Sequence, residues 1–394
     1  MKTRIAVMFG GKSVEHEVSV ISGIQALLSM DKEKTELIPV YLNKKNEMFI
    51  GEEVGSIEAY QDIPALLRRS QRVIFVNEND RFFLMPYPKK LFGGKPVEID
   101  LAFPIVHGTN VEDGALQGYL KTIGIPFVGC DVTASALGMD KYASKVILKE
   151  NGIPVLDGFC YTISDYAELE ALLDSVEQKV GYPVIIKPYN LGSSVGIRVA
   201  KDRRELTVAV DEAFTYSRKI IAEHAITRLR EINCAVLGDE NEAIASECEE
   251  PLHSKDILSY EDKYLSNAGK GASKGMASVS RKIPAELSPE LRAKVQSLAV
   301  SAFQKLGCNG VARIDFMIDE ENGTLYFNEI NTIPGSLSFY LWEPVGISYP
   351  ELLNRMIGLA KKRVREEAGM TFSFDTNLLN RGTLGGVKGA KGGK

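Results

Sequence analysis

The stretch Gly310–Gly335, GVARIDFMIDEENGTLYFNEINTIPG, holds the residues best suited to chemistry. Val311–Ile318 and Thr324–Ile330 are β-rich runs, and Glu321-Asn322-Gly323 between them has turn composition, so a β-hairpin is expected. Side chains alternate along a strand, which puts Arg313 and Asp315 on one face and Glu329 and Asn331 on one face. With a loop of Glu321–Gly323, Asp315 falls opposite Glu329 and Arg313 opposite Asn331. Two facing carboxylates repel unless a positive charge sits between them. Mg²⁺ meets that need, since it takes oxygen ligands, commonly one or two carboxylates together with phosphate oxygens. The hairpin then reads as a metal–phosphate platform, with Arg313 neutralising a transferring phosphoryl group. The alternative is a solvated polar face.

Other candidates lie upstream. Pro183–Lys187 reads as a strand, followed by the loop PYNLGSSVG and a second strand, Ile197–Ala200. A Gly/Ser loop between antiparallel strands can close over phosphates with backbone N–H and hydroxyl donors, and Lys187 adds a cation beside Ser193 and Ser194. An ordinary hairpin turn is the alternative. The loop is neither a Walker A motif nor a Rossmann fingerprint. His107 ends an apolar run, Asp100–Val106, where open α/β sheets bind ligands; a partly buried structural histidine is equally expected. Glu15 sits in a first helical turn, where an acid also simply complements the helix dipole. Lys141 opens a helix and faces either a ligand or solvent. Glu223 ends the apolar run KIIAE, where an adenine or ribose could be bound.

These residues need a frame. Ile5–Phe9, the Gly10-Gly11-Lys12-Ser13 turn, a helix over about 14–29 and a strand Leu37–Leu42 make a βαβ opening, which predicts a parallel sheet. Val73–Phe75 and Phe82–Met85 suggest a hairpin around Glu78-Asn79-Asp80. Helices are expected over about 115–123, 141–150, 287–306 and 347–365. Strands are expected at Lys219–Glu223 and Glu231–Leu237. The polar run Ser266–Ser280 reads as a mobile lid, and residues 381–394 as a disordered Gly/Lys tail.

The 394 residues carry a net charge of −5 with both signs interspersed, which gives no support for a nucleic-acid or anionic-membrane partner. The hydrophobic fraction of 44% is enough for a sizeable core. Five cysteines without a CxxC pattern read as small hydrophobes in a reducing compartment, and a structural zinc site is not expected. Ile5–Phe9 is too short for a signal-peptide core, and no run approaches the ~18 apolar residues of a membrane helix. A cytoplasmic protein is expected.

Seven stretches in order, FGGKSVEHEVS (9–19), HGTNVEDGALQG (107–118), MDK (139–141), VIIKPYNLGSSVG (184–196), YEDKY (260–264), RIDFMI (313–318) and NEINTIPG (328–335), resemble the D-alanine–D-alanine ligases of the ATP-grasp superfamily. The resemblance spans about residues 4–360. It implies an α/β (α+β) protein with three domains: a parallel α/β domain at 1–133, a small central α+β lid domain at 134–222 and an antiparallel-sheet domain with the metal site at 223–370. A Gly/Lys tail follows at 371–394. It implies ATP-dependent joining of two D-alanines through an acyl phosphate, for peptidoglycan precursors, in a cytoplasmic homodimer. Glu15 would hold the ammonium of the first D-alanine, oriented by Ser193 and Tyr264, with His107 close by. Lys141, Lys187 and Ser194 would contact ATP phosphates, and Lys263 would reach the γ-phosphate from the lid. Glu223, His224, Ala225 and Ile226 would hold adenine, and Glu231 the ribose. Asp315, Glu329 and Asn331 would ligate two Mg²⁺ ions, with Mn²⁺ as a possible substitute. Arg313 and the amide of Gly335 would stabilise the tetrahedral oxyanion.

The chain departs from the family pattern beyond Gly335. Ser336–Trp342 (SLSFYLW) puts Tyr340, beside Leu341, where the family has the serine that holds the second substrate's carboxylate. His224 replaces a common lysine. A ligase with another acceptor, such as D-serine, D-lactate or a bulkier amino acid, is the nearest alternative. A catalytically silent nucleotide sensor would be expected to lack some of Lys187, Arg313, Asp315, Glu329 and Asn331, and all five are present.

Overall fold

The computed structural model describes residues 2–88, 94–192, 195–252 and 281–373. Ser193, Ser194, Lys263, Tyr264, the lid run 266–280 and the tail from 374 lie outside these described residues.

Three sheets make the frame. The first has seven strands in the order β6-β5-β4-β3-β2-β1-β7. These are β1 (Thr3–Gly10), β2 (Thr35–Leu42), β3 (Met48–Ile50), β4 (Gln71–Glu78), β5 (Arg81–Pro86), β6 (Val97–Ile99) and β7 (Leu101–Pro104). Only β2, β1 and β7 run parallel; β2 through β6 continue as an antiparallel meander. The expected parallel sheet is therefore the three strands at one end, and the expected 73–85 hairpin extends the same sheet. The βαβ opening packs tightly: a Cβ on Gly23 of the helix His16–Ser29 would lie 2.4 Å from Phe9 Cβ. Only glycine permits that approach.

The second sheet is antiparallel, in the order β10-β9-β11-β8: β8 (Gly158–Thr162), β9 (Val184–Pro188), β10 (Arg198–Ala200) and β11 (Lys219–His224). The third is antiparallel, in the order β14-β13-β12-β15-β16: β12 (Leu229–Gly238), β13 (Ala243–Pro251), β14 (Arg281–Lys282), β15 (Gly310–Asp319) and β16 (Thr324–Asn331).

Each sheet has its own apolar core, and the cores exchange segments. Leu148 and Ile153, from the middle of the chain, pack under the third sheet. Ile333, Leu337, Trp342 and the helix Tyr349–Glu367 return to the core of the first. All five cysteines are free thiols, four of them buried. Among the described residues no helix is long and apolar enough to cross a membrane.

Candidate active site

The hairpin β15–β16 pairs Asp315 with Glu329 and Arg313 with Asn331. The route to that register differs from the one expected. Asp319 pairs with Thr324, so the loop holds one residue more, and a bulge after Asp315 restores the pairing by leaving Asn328 out of the ladder. A one-residue slip turns every side chain to the other face, and the bulge undoes it.

The neighbouring strands continue the same row. Asn233 pairs with Asp315 on one side and Glu249 on the other. Glu249, Asn233, Asp315 and Glu329 thus cross four adjacent strands on one face, about 14 Å at ~4.8 Å per strand. Asn233 Nδ2 donates to Glu249 Oε1 at 3.0 Å. Alternation within EINCAVL puts Glu231 and Asn233 on one face, so Asn233 was within reach of a sequence argument. Glu249, inside an acidic run, was not distinguished from its neighbours.

Basic groups meet these carboxylates. Arg313 donates through Nε and Nη2 to both oxygens of Asp315, each at 2.7 Å, and Asn331 Nδ2 donates to Asp315 Oδ2 at 3.1 Å. Burial works against the Arg313 charge, and Asp315 more than offsets it. Burial pushes the Asp315 carboxyl up to about 6; Arg313 opposes this, and the charges of Glu329 and Glu249 reinforce it. Lys141 Nζ lies 2.8 Å from Glu329 Oε2 and donates to Leu191 O at 2.8 Å. It joins the hairpin to the Gly/Ser loop. Asp140 caps its helix by accepting from the N–H groups of Tyr142 and Ala143.

Lys187 donates to Glu223 Oε2 at 2.8 Å and to Asn328 Oδ1 at 3.1 Å. The other Glu223 oxygen takes Lys145 Nζ. Glu223 is fully buried; burial alone would raise its carboxyl, and the two lysines bring it down to about 2. Burial lowers Lys145 to about 8 against the attraction of Glu223. Glu223 and Lys145 both carry their charge at neutral pH. Glu223 therefore faces two lysines. His224 ends β11 and Ala225 and Ile226 follow it; none of the three is among the described residues that line the cavity. Lys145 was not singled out from sequence, although it stands four residues after Lys141 on the same helix face.

Among the described residues, the cavity between the sheets is lined by six acids (Glu15, Glu112, Glu231, Glu249, Asp315, Glu329) and four bases (Lys141, Lys187, Arg281, Arg313). The lining also includes His107, Asn331 and Gly335. Glu15 is buried with its carboxylate against Gly108 and Gly192; a Cβ on Gly108, where φ is +83°, would lie 2.7 Å from Glu15 Oε2. Tyr340 and Leu341 are buried and belong to the core under the first sheet.

His107 is buried and both its ring nitrogens are engaged. Nδ1–H donates to Ile333 O at 2.8 Å, and Nε2 accepts from Ser22 Oγ at 2.9 Å. Burial, with Arg313 adding to it, pushes the ring down to about 4, so it is neutral. From the same loop, Glu112 accepts from Ile333 N–H at 2.9 Å and Gly108 N–H at 2.9 Å. Burial and the Glu15 charge push Glu112 up to about 8. His107 and Glu112 thus grip both polar groups of one peptide residue, two positions before Gly335. Beyond Gly335, Ser336, Leu337 and Ser338 form a left-handed turn with φ of +50°, +53° and +49°. Ser336 N–H donates to Ser22 Oγ at 2.9 Å and Ser336 Oγ to Gln25 Oε1 at 2.6 Å, which fastens the turn to the first helix.

The donor set suits a hard cation. Two carboxylates, Asp315 and Glu329, face each other with Asn331 beside them, and an Asp315 whose pKa is raised by burial, with the Glu329 charge reinforcing it, gains from added positive charge. Among the described residues no group of three His, Cys, Asp or Glu side chains converges on one point, so phosphate oxygens would have to complete the shell.

Family models described as "D-ala D-ala ligase N-terminus" and "D-ala D-ala ligase C-terminus" match residues 4–130 and 147–358. The D-alanine–D-alanine ligase of Thermosipho melanesiensis is 37% identical over 375 residues, covering 95% of this chain and 98% of the relative. That of Acetivibrio thermocellus is 38% identical over 382 residues, covering 93% and 97%. Among solved structures, the D-alanine-D-alanine ligase from Coxiella burnetii superposes with a TM-score of 0.75 at 29% identity, over 93% of this chain and 96% of that one. The VanG D-Ala:D-Ser ligase from Enterococcus faecalis does so with 0.75 at 31% identity, over 91% and 100%. With both halves of the chain matched and relatives aligned nearly end to end, the chain belongs to the D-alanine–D-alanine ligase family.

Proposed function

We propose that this chain joins two D-alanine molecules at the expense of ATP, releasing ADP and phosphate, and that it does so with two Mg²⁺ ions, which Mn²⁺ can replace. The observation that carries the reading is the convergence in one cavity of Glu15, the facing pair Asp315/Glu329, and the cations Lys141, Lys187 and Arg313.

A carboxylate does not condense with an amine in water, so the reaction needs a leaving group. An oxygen of the first D-alanine attacks the γ-phosphorus of ATP, and an acyl phosphate forms as ADP leaves. The amine of the second D-alanine attacks the carbonyl carbon, and phosphate departs with the oxygen that attacked it. Asp315, Glu329 and Asn331 hold the metal, which supplies charge neutralisation on the phosphate oxygens. Glu15 holds the first ammonium. Lys141 and Lys187 bind phosphate, prepositioned by Leu191 O and by Glu223. Glu231 holds the ribose. Arg313 and the Gly335 amide face the oxyanion, which the His107–Glu112 grip on Ile333 keeps in place. In this reading His107 positions the site without touching substrate.

A second reading, a ligase with another acceptor, is favoured by the orientation of Tyr340. Its hydroxyl donates to Glu249 Oε1 at 3.3 Å and not toward a substrate, and one solved relative is a D-Ala:D-Ser ligase. Mass identification of the product formed from Mg-ATP and D-alanine, with D-serine, D-lactate and L-alanine in competition, separates the two. D-alanyl-D-alanine as the main product supports the first reading, and a mixed product supports the second.

A further inference from the structure

Resting on that reading, we propose that Arg281 takes the carboxylate of the acceptor amino acid. Ligation of two zwitterions needs a cation for the second carboxylate. Among the described residues four cations line the cavity, and each has a carboxylate partner: Lys141 has Glu329, Lys187 has Glu223, Arg313 has Asp315 through two N–H groups, and Arg281 has Glu249. Arg281 stands on β14, the edge of the third sheet opposite β16.

Its guanidinium is held on two sides. The carbon of the guanidinium lies 4.1 Å from the centroid of the Tyr340 ring, and Nη1 donates to Glu249 Oε2 at 2.8 Å. The Arg281 and Glu249 side chains are 11% and 3% exposed. A guanidinium stacked on a ring keeps its N–H groups in one fixed plane, the geometry that receives a carboxylate edge-on. Tyr340 meanwhile directs its hydroxyl to Glu249, and burial with the Glu249 charge pushes that phenol up to about 12, so it stays protonated and bonded there. The tyrosine thus serves as the platform for Arg281, and the arginine supplies the charge. Glu249, in the row that leads to Asp315, ties this acceptor end to the phosphoryl end.

The test compares Arg281→Gln and Arg281→Lys with the unaltered chain, using D-alanine and D-alaninamide as acceptors; the amide lacks the carboxylate. For Arg281→Gln, kcat/KM for the D-alanine acceptor is expected to fall about 10- to 100-fold, the size of a lost charge-assisted hydrogen bond. With D-alaninamide it is expected to stay unchanged, as are the KM values for ATP and the first D-alanine. Arg281→Lys keeps the charge without the planar fork and is expected to recover part of the loss; it also decides the matter should the glutamine variant fail to fold. Equal losses with both acceptors, or no loss with D-alanine, would overturn the proposal. Failure of the unaltered chain to make any dipeptide would instead count against the ligase reading itself.

Discussion

Asp315 faces Glu329 across the β15–β16 ladder because Asn328 is pushed out of it. The extruded residue is not idle: its amide oxygen accepts from Lys187 Nζ. One bulge therefore sets the spacing of two carboxylates and anchors a phosphate-end lysine from another sheet.

Glu329→Gln removes one of the facing charges. Phosphate release is expected to fall about 10²- to 10³-fold, the scale of losing one preorganised electrostatic partner. Stability should change by less than about 1 kcal/mol, since Glu329 is a quarter exposed and its pair with Lys141 is partly screened. Steady-state turnover with urea unfolding checks both; activity within a few-fold of the unaltered chain would refute the metal assignment.

Lys145→Met breaks the buried Lys145–Glu223–Lys187 trio. Glu223 keeps one partner in place of two, and the loss is expected to be about 3 kcal/mol in urea unfolding. Lys187 is then drawn toward Glu223, and KM for ATP should rise. An unchanged unfolding midpoint would show that the trio is not a stabilising unit.

His107 makes stability fall in acid. Its folded pKa of about 4 lies below the unfolded value of about 6.5. Above pH 6.5 both states are neutral and the contribution is complete. Between 6.5 and 4 only the unfolded state binds the proton, so stability drops by about 3 kcal/mol across that window. Unfolding free energies measured from pH 7 to 4 should decline less steeply in His107→Gln. Equal slopes would contradict a buried neutral ring.

Ser338→Gly should stabilise the chain. Ser338 is buried with φ +49°, and among the described residues its hydroxyl has no hydrogen-bond partner. The left-handed backbone costs about 1–2 kcal/mol, the unmet hydroxyl adds to that, and the extra chain entropy of glycine takes back about 1. A net gain of about 1 kcal/mol in thermal or urea unfolding is expected; a loss would mean the hydroxyl is bonded.

Much of the frame was legible because its signals are local. Glycine turns, strand alternation and helix stripes placed the first βαβ unit, the helix opening at Lys141 and the hairpin. The antiparallel extension from β3 to β6 was less legible, since its strands are short and carry mixed patterns. Within the site, residue type and alternation suggested Asp315 and Glu329 but not the bulge, because loop length and bulge compensate each other in sequence. Lys145 and Glu249 stayed hidden because their meaning depends on Glu223 and Arg281, which only packing brings to them. His107 was visible as a candidate, yet its two partners, Ser22 and Ile333, lie far away in the chain.

The most direct test follows an oxygen atom. D-alanine labelled with ¹⁸O in its carboxylate, supplied with Mg-ATP, should yield D-alanyl-D-alanine and one phosphate per dipeptide. That phosphate should carry one labelled oxygen, because the donor carboxylate attacks phosphorus and the acyl bond to that oxygen breaks when the amine adds. Unlabelled phosphate, or phosphate released without dipeptide, would contradict ligation through an acyl phosphate.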